Sequence, residues 1–424
     1  MSVVDRSASV DSSLEDEVSS WIDDNWDPNL RVGEWWQLLA DSGYAHPGLP
    51  QAAGGLGYSQ TKAMRVMRAI AAADVMGPPP GLGMMLAAPT IAEHGTPEQI
   101  ARYIPSILNG REAWCQLFSE PVAGSDLAGL QTRAVADGDE WRVTGQKVWT
   151  SQGDIADLGM LVARTDGDLP KHRGLSYFAM VMDQDGVEVR PLREMTGRTF
   201  FSEVFMDNAV VAADAMIGQR GDGWRVANTT LAVERASIGA GSAGFALAQP
   251  GSKANQFERK VGEVVARSKE KRAGAHAPSV GLKLFHRYAE LARRLGRNTD
   301  PLLRQELIGV YSLLMVNRLN LQRARQKSQR TGGEGNIAKL IDSELNRQFR
   351  DVSLRIIQAD GMLAGRSSQT DSSIAEVVLY AQGPPIYGGT DQIQRNILGE
   401  RVMGLPKEPG PDKSTPFNQL PRNV

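Results

Sequence analysis

The feature that most constrains the fold is a double change of hydrophobic period along the 424 residues. Up to about Gly110 the apolar residues recur at helical spacing. In SLEDEVSSWIDDNW, Leu14, Val18, Trp21 and Ile22 fall at i, i+4, i+7 and i+8, one face of an amphipathic helix. A Pro/Gly loop, His46 to Ser59, precedes a helical stretch through MRVMRAIAAADV. GTPEQIARYIPSIL opens with Thr96 as N-cap, Pro97 at the first helical position and Glu98 in the first turn. From Trp114 to about Val211 the period drops to two. EWRVTGQKVWTS, GMLVARTD, LSYFAMVMD and GVEVRPL alternate, with Gly, Asp and Asn between them. After Gly223 the helical period returns in GWRVANTTLAVERASIGAGSAGFALAQ, in DPLLRQELIGVYSLLMVNRLNLQRARQKSQ, in NIAKLIDSELNRQFRDVSLRIIQADG and in DQIQRNILGERVMG. Helices, then strands, then helices, without βαβ alternation, argue against a dinucleotide-binding Rossmann unit. The order predicts a mainly α chain with a small central β-barrel or sandwich and a C-terminal helical bundle.

The expected boundaries are an N-terminal helical domain over 1–112, a β-domain over 113–213 and a bundle over 214–407. Residues from about 250 to 283 are basic, rich in small residues and weakly patterned, and are expected to form a surface insertion in the bundle. The Pro-rich tail, 408–424, is expected to be loosely ordered. Net charge near −2 gives no broad attraction to nucleic acid or anionic lipid. Cys115 is the only cysteine, so no intramolecular disulfide can form, which fits a reducing cytoplasm. No apolar run reaches 18 residues, so no membrane span is expected, and the polar N-terminus lacks the pattern of a signal peptide. His46, His94, His172, His276 and His286 are scattered, and no metal-binding spacing, GxSxG elbow or Walker loop occurs.

Three stretches carry the candidate chemistry: QLFSEPVAGSD (Gln116–Asp126), GQKVWTSQG (Gly145–Gly153) and IYGGTDQIQRN (Ile386–Asn396). Each combines small hydroxyl residues and exposed backbone amides with an aromatic, and Gln392 and Gln394 add side-chain amides to the third. Strand ends and turns collect the same residue types, so each stretch alone is ordinary. Together they suit a flat, polar heteroaromatic cofactor, which needs an aromatic wall and hydrogen bonds along its edge.

At this point the chain resembles the acyl-CoA dehydrogenase family. The likeness runs through GTPEQIARYIPSILNGREAWCQLFSEPVAGSDLAGLQTRAVADGDEWRVTGQKVWTS and again through YGGTDQIQRNILGERVMGLPKE. The resemblance implies an N-terminal helical domain, a middle β-domain, a C-terminal four-helix bundle, FAD, a tetramer and an acyl-CoA thioester substrate. It places Gln116, Leu117, Phe118, Ser119 and Ser125 along the flavin, with Ser119 near its N5 and Ser125 where flavin and CoA meet. Trp149 would stack against the ring beside Thr150 and Ser151, and Thr390, Asp391 and Gln392 would reach the cofactor from the C-terminal turn. Gly388 and Gly389 would meet the thioester, and Gln305 matches a family glutamine.

The implied desaturation removes a proton α to the thioester and passes a hydride from the β carbon to flavin N5, so a carboxylate must lie within reach of that proton. Many family members carry it in the C-terminal turn as YEGT; here that position is Gly388. Isovaleryl-CoA and long-chain dehydrogenases instead carry it in a pattern like LxxER at the start of the bundle. This chain has LAVER, with Glu234 as the expected base and Arg235 beside it at the substrate. A solvated Glu–Arg pair is the ordinary reading of such a motif. The apolar, small flanks TTLAV and ASIGAGSAG and the missing carboxylate at 388 favour the base.

Two departures bear on the other half of the FAD site. The R-x-x-F-G pattern of the pyrophosphate arginine is ARRLGRN here, leaving Arg293 or Arg294 for the role, and the Gly-Gly adenine loop reads IIQADGML. The leading expectation is an enzyme that passes electrons to an electron-transfer flavoprotein. Alternatives are an oxygen-reducing relative and a half-site or non-catalytic subunit of a heterotetramer.

Overall fold

The computed structural model describes residues 13–239, 248–273, 280–324, 326, 331–363, 367–368, 373–407, 409 and 414–421. Helix α1 (Ser13–Asn25) buries Leu14, Val18 and Ile22, three of the four residues that the helical spacing selects. The fourth, Trp21, sits 5.6 Å from Trp35 and 5.2 Å from Tyr44 by ring centroids. Helix α2 (Val32–Asp41) buries Trp35 and Trp36, and their indole N–H groups donate to the carbonyls of Met76 (2.6 Å) and Gly77 (3.1 Å). Burial of each ring therefore leaves no donor stranded. Then come α3 (Gln60–Ala72), α4 (Ala88–His94) and α5 (Pro97–Leu108). Thr96 caps α5 as expected: its hydroxyl accepts from Gln99 N at 3.3 Å, and Gln99 returns the bond to Thr96 N at 3.0 Å.

Eight strands follow: β1 (Trp114–Leu117), β2 (Arg133–Asp137), β3 (Glu140–Ser151), β4 (Leu158–Arg164), β5 (Leu175–Val181), β6 (Val187–Leu192), β7 (Phe201–Ala212) and β8 (Met216–Ile217). They form one sheet in the order β6-β7-β3-β2-β4-β5-β8, with β1 beside β4. Every residue of β4 is buried, and in β5 only Val181 is exposed, so these two central strands read as apolar runs. Strands β3 and β7 pair antiparallel, Trp141 opposite Val211 and Lys147 opposite Val204. Between Lys147 and Thr150 the register shifts: β3 advances three residues while β7 advances two, from Val204 to Ser202. That is a β-bulge in β3.

The helical part comprises α6 (Gly223–Gly239), α7 (Val261–Ala273), α8 (Leu282–Arg294), α9 (Pro301–Ala324), α10 (Glu334–Ile357), α11 (Ser373–Tyr380) and α12 (Asp391–Ile397). Leu284, Tyr288, Leu303, Val310, Phe349 and Ile356 form the core of α8, α9 and α10. The sequence also reads helix at 240–247 and at 325–329; these stretches, apart from Gln326, lie outside the described residues. No described helix is long and apolar enough to cross a membrane.

The chain divides into two compact units: Met1–Trp114 with Ile155–Leu158 and Ala246–Lys271, and Cys115–Asp154 with Gly159–Phe245 and Arg272–Val424. The expected insertion at 250–283 is not a surface addition to the bundle. Its helix α7 belongs to the first unit, where Val261 N donates to Leu30 O (2.9 Å), Gly262 N donates to Pro28 O (3.0 Å), and Phe257 meets Trp36 edge to face. The weak pattern there is a short helix with a single apolar flank. The tail is also less loose than its composition suggests, since residues 416–418 lie against the loop after β4.

One buried ion pair organises the sheet. Lys147 is fully buried; its Nζ donates to Glu120 Oε1 (2.9 Å), Phe118 O (3.0 Å) and Val162 O (2.9 Å). Glu120 also accepts from the amides of Gln131 (2.6 Å) and Thr132 (2.9 Å). Burial alone would raise the Glu120 carboxyl, but Lys147 and these donors more than offset it and hold it below its ordinary 4.5. Lys147→Met would strand that carboxylate and cost about 3–5 kcal/mol in urea melts, whereas adding Glu120→Gln should restore much of the loss. Because the folded value is depressed, the pair's contribution is present above about pH 4.5 and is lost as pH falls below it, an acid sensitivity that the double variant should lack.

Candidate active site

Strand β1 buries Trp114, Cys115 and Leu117 but leaves Gln116 partly accessible. The side chain of Gln116 reaches α6, where its Nε2 donates to Glu234 Oε2 at 3.4 Å. Glu234 is half-buried, and loss of hydration raises its carboxyl above the ordinary value; Gln116 and Arg235 pull the other way without cancelling the effect. Arg235, also half-buried, is pushed down by burial, supported by Glu234 and opposed by Arg401. LAVER is therefore not a pair of solvated helix charges.

The start of α10 joins α6 to the C-terminal turn. A Cβ at Gly335 would lie 3.7 Å from Arg235 Cβ. The next residue, Asn336, donates through Nδ2 to Gln394 Oε1 at 2.5 Å, and Gln394 Nε2 donates to Gly388 O at 2.7 Å. Gly388 and Gly389 take φ of 61° and 82°, where glycine is favoured. With the Gly388 carbonyl held by Gln394, the amides of Gly388 and Gly389 donate to no partner among the described residues. Thr390 caps α12, accepting from Ile393 N at 3.2 Å. The Asp391 carboxylate is committed to Lys339 (3.0 Å) and Arg347 (2.9 Å), and its amide donates to Pro385 O (3.0 Å). Gln392 is exposed.

The Trp149 stretch adjoins the first. Val148 N donates to Ser119 O at 2.9 Å, setting the bulge of β3 beside the loop that begins at Phe118. At the bulge Trp149 takes φ 60°, unusual for a bulky residue, and its ring is 60% exposed. Its edge meets Phe201 at 5.9 Å. Thr150 turns inward, fully buried, with Oγ1 lacking a partner among the described residues, and Ser151 is half-buried. Ser119 is partly accessible and Ser125 exposed, while Leu117 and Phe118 are core residues. An exposed ring held at its edge beside accessible hydroxyls fits a flat heteroaromatic group.

Arg294 and Gln305 stand elsewhere, exposed at the end of α8 and the start of α9, and neither side chain makes a hydrogen bond among the described residues. Arg293 pairs with Glu290 at 2.6 Å. In IIQADGML, Gln358 ends α10 at φ 51°, ψ −126° and accepts from Arg297 at 2.6 Å. Sequence reasoning did not single out Lys147, Glu120, Asn336 or Lys339. Lys147 had a signal: it shares strand parity with the buried Trp141 and Val143.

A half-buried carboxylate on α6, a glycine turn before α12 and an exposed aromatic on a bulged strand are what the described residues offer for chemistry, and the comparisons supply the family. The chain belongs to the acyl-CoA dehydrogenase family: it matches the N-terminal domain over 7–111, the middle domain over 115–209 and the C-terminal domain over 256–403. It is 35% identical to acyl-CoA dehydrogenase IpdE1 of Mycobacterium tuberculosis, covering 88% of each chain. In fold it is similar to the Tcur3481-Tcur3483 steroid ACAD (TM-score 0.70, 23% identity, 95% of this chain and 99% of that one). It is likewise similar to the ChsE4-ChsE5 complex of Mycobacterium tuberculosis (TM-score 0.68, 23% identity, 96% and 100%).

The Gln358 backbone generates a stability prediction. A non-glycine residue at φ 51°, ψ −126° is strained by about 1–3 kcal/mol, and its exposed bond to Arg297 returns about 1 kcal/mol at most. Set against the lost bond and about 0.5–1 kcal/mol of added freedom in the unfolded chain, Gln358→Gly should stabilise the protein by less than about 1 kcal/mol in urea melts.

Proposed function

We propose that this chain is an FAD-dependent acyl-CoA dehydrogenase with Glu234 as its base. The observation that carries the reading is the half-buried, proton-hungry Glu234 carboxylate, joined through the start of α10 to a turn whose Gly388 has no side chain. Glu234 takes the proton from the carbon α to the thioester. Gly388 and Gly389 N–H groups polarise the thioester oxygen as enolate charge develops. Trp149, Ser119 and Ser151 hold the isoalloxazine, and Ser125 sits at the CoA side. When bound, FAD supplies the acceptor for the hydride from the β carbon. An electron-transfer flavoprotein then takes the electrons, in the cytoplasm. The open turn at 388 favours bulky acyl groups, and a steroid-derived acyl-CoA agrees with the steroid ACAD among the structures of similar fold.

The assembly is at least dimeric, a homotetramer or heterotetramer. On α9, Leu302, Ile308, Val316 and Leu319 face outward and exposed, while Leu303, Val310 and Leu314 fill the bundle. The strained Gln358 loop and the unengaged Arg294 favour a heteromer in which a partner chain completes the adenine side.

Glu234→Gln should lose about 10² to 10⁴-fold in the rate of flavin reduction by a panel of acyl-CoAs, measured by stopped flow. It should be at least as stable as the parent at neutral pH, because a carboxyl raised by burial costs stability as pH rises and it ionises. In the parent the rate should climb with pH through a value above the ordinary carboxylate range. An unchanged rate in Glu234→Gln rejects the assignment.

Trp149→Ala should release flavin more readily while folding normally, since the ring is mostly exposed; flavin content after gel filtration checks this.

A further inference from the structure

The chain that leaves the Ser119–Asp126 loop is held by Arg164, the last residue of β4. Arg164 is 4% exposed, and its guanidinium donates to backbone carbonyls: Nη2 to Ala128 O (2.7 Å), Nε and Nη2 to Leu130 O (3.2 Å each) and Nη1 to Lys171 O (3.1 Å). Its amide donates to Thr132 O at 2.8 Å. One side chain thus fixes the returning limb of the loop. Lys171 holds the end of the loop itself, with Nζ 2.7 and 2.9 Å from the two carboxylate oxygens of Asp126, next to Ser125.

The flat face of that guanidinium is covered by the C-terminal tail. The Phe417 ring centroid lies 3.4 Å from Arg164 Cζ. The ring is placed by backbone pairing: Phe417 N donates to Leu169 O (2.9 Å), Asn418 N donates to Gly167 O (3.0 Å), and Pro416 bridges Pro170. Asn418 Nδ2 also donates to Asp168 Oδ1 at 3.1 Å. The approach is close enough that a Cβ at Gly167 would sit 2.5 Å from Asn418 Oδ1. A buried guanidinium hydrogen-bonded to carbonyls draws the rest of its compensation for lost hydration from the Phe417 face and, at longer range, from the Glu120 and Asp126 carboxylates.

We propose that residues 416–418 are a strap and that Phe417 is a positioning residue, acting through Arg164 to fix the Ser119–Asp126 loop. That this loop holds cofactor and thioester rests on the function proposed above; the strap itself does not.

The test compares Phe417→Ala, Phe417→Tyr and a chain ending at Thr415 with the parent. Hydrogen–deuterium exchange of the segment 121–132 is measured on protein as purified, followed by flavin content and steady-state kinetics with an acyl-CoA that the parent uses. Phe417→Ala and the truncation should speed exchange of that segment about tenfold, while the β3–β7 pairing exchanges as before and Phe417→Tyr matches the parent. They should also retain less flavin, and KM should rise several-fold while kcat of flavin-loaded enzyme stays within about twofold, since placement and not proton transfer is altered. Unchanged exchange in both variants overturns the strap. Faster exchange with parental KM and flavin content overturns the positioning role. Failure of the proposed function shows separately, in a parent that neither binds flavin nor is reduced by any acyl-CoA.

Discussion

The Lys147–Glu120 pair is the interaction on which the central sheet depends. It reaches three segments from one buried point: β3 through Lys147, the exit of β1 through Phe118 and Glu120, and β4 through Val162. Glu120 in turn gathers the amides at Gln131 and Thr132, where the same loop returns. A buried pair is weak evidence for net stability, because desolvating two ions is costly. Its value here is geometric. An apolar pair could fill the volume but could not bond the two carbonyls and two amides that this pair engages. The loop is left with a fixed shape and its outer hydroxyls accessible.

Much of the fold was legible because helical and strand periods are long-range signals. Alternation in EWRVTGQKVWTS and capping at Thr96 both appear in the structure where the sequence puts them. What period could not show was allegiance. The segment carrying α7 is weakly amphipathic, and its partners are Leu30, Pro28 and Trp36, more than two hundred residues earlier. Local pattern cannot report such pairing. The tail misled for a related reason: its prolines and short length read as disorder, whereas a few backbone bonds and one aromatic face suffice to seat it.

At the site, the motif residues were legible by type but their roles only in part. Glu234 and Gly388 stood out because one has a carboxylate where the other lacks it. Asp391 was read as a cofactor contact, yet its carboxylate is spent on Lys339 and Arg347. Gln394, not Gln392, is the glutamine turned inward to shape the turn. Two amides two residues apart on a helix face opposite ways, and sequence alone does not say which one the bundle covers.

The bulge in β3 has a consequence for how that strand can change. Side chains alternate faces with a period of two, so one extra residue works as a parity switch. Upstream, odd-numbered residues point inward, as Trp141, Val143 and Lys147 do; downstream it is Thr150 that points inward and Trp149 that points out. Replacing a residue there alters one contact. Removing one would restore plain alternation, with Thr150 still inward, but would abolish the irregular backbone on which Trp149 stands at φ 60°. The length of the stretch, and not only its residues, therefore marks the site.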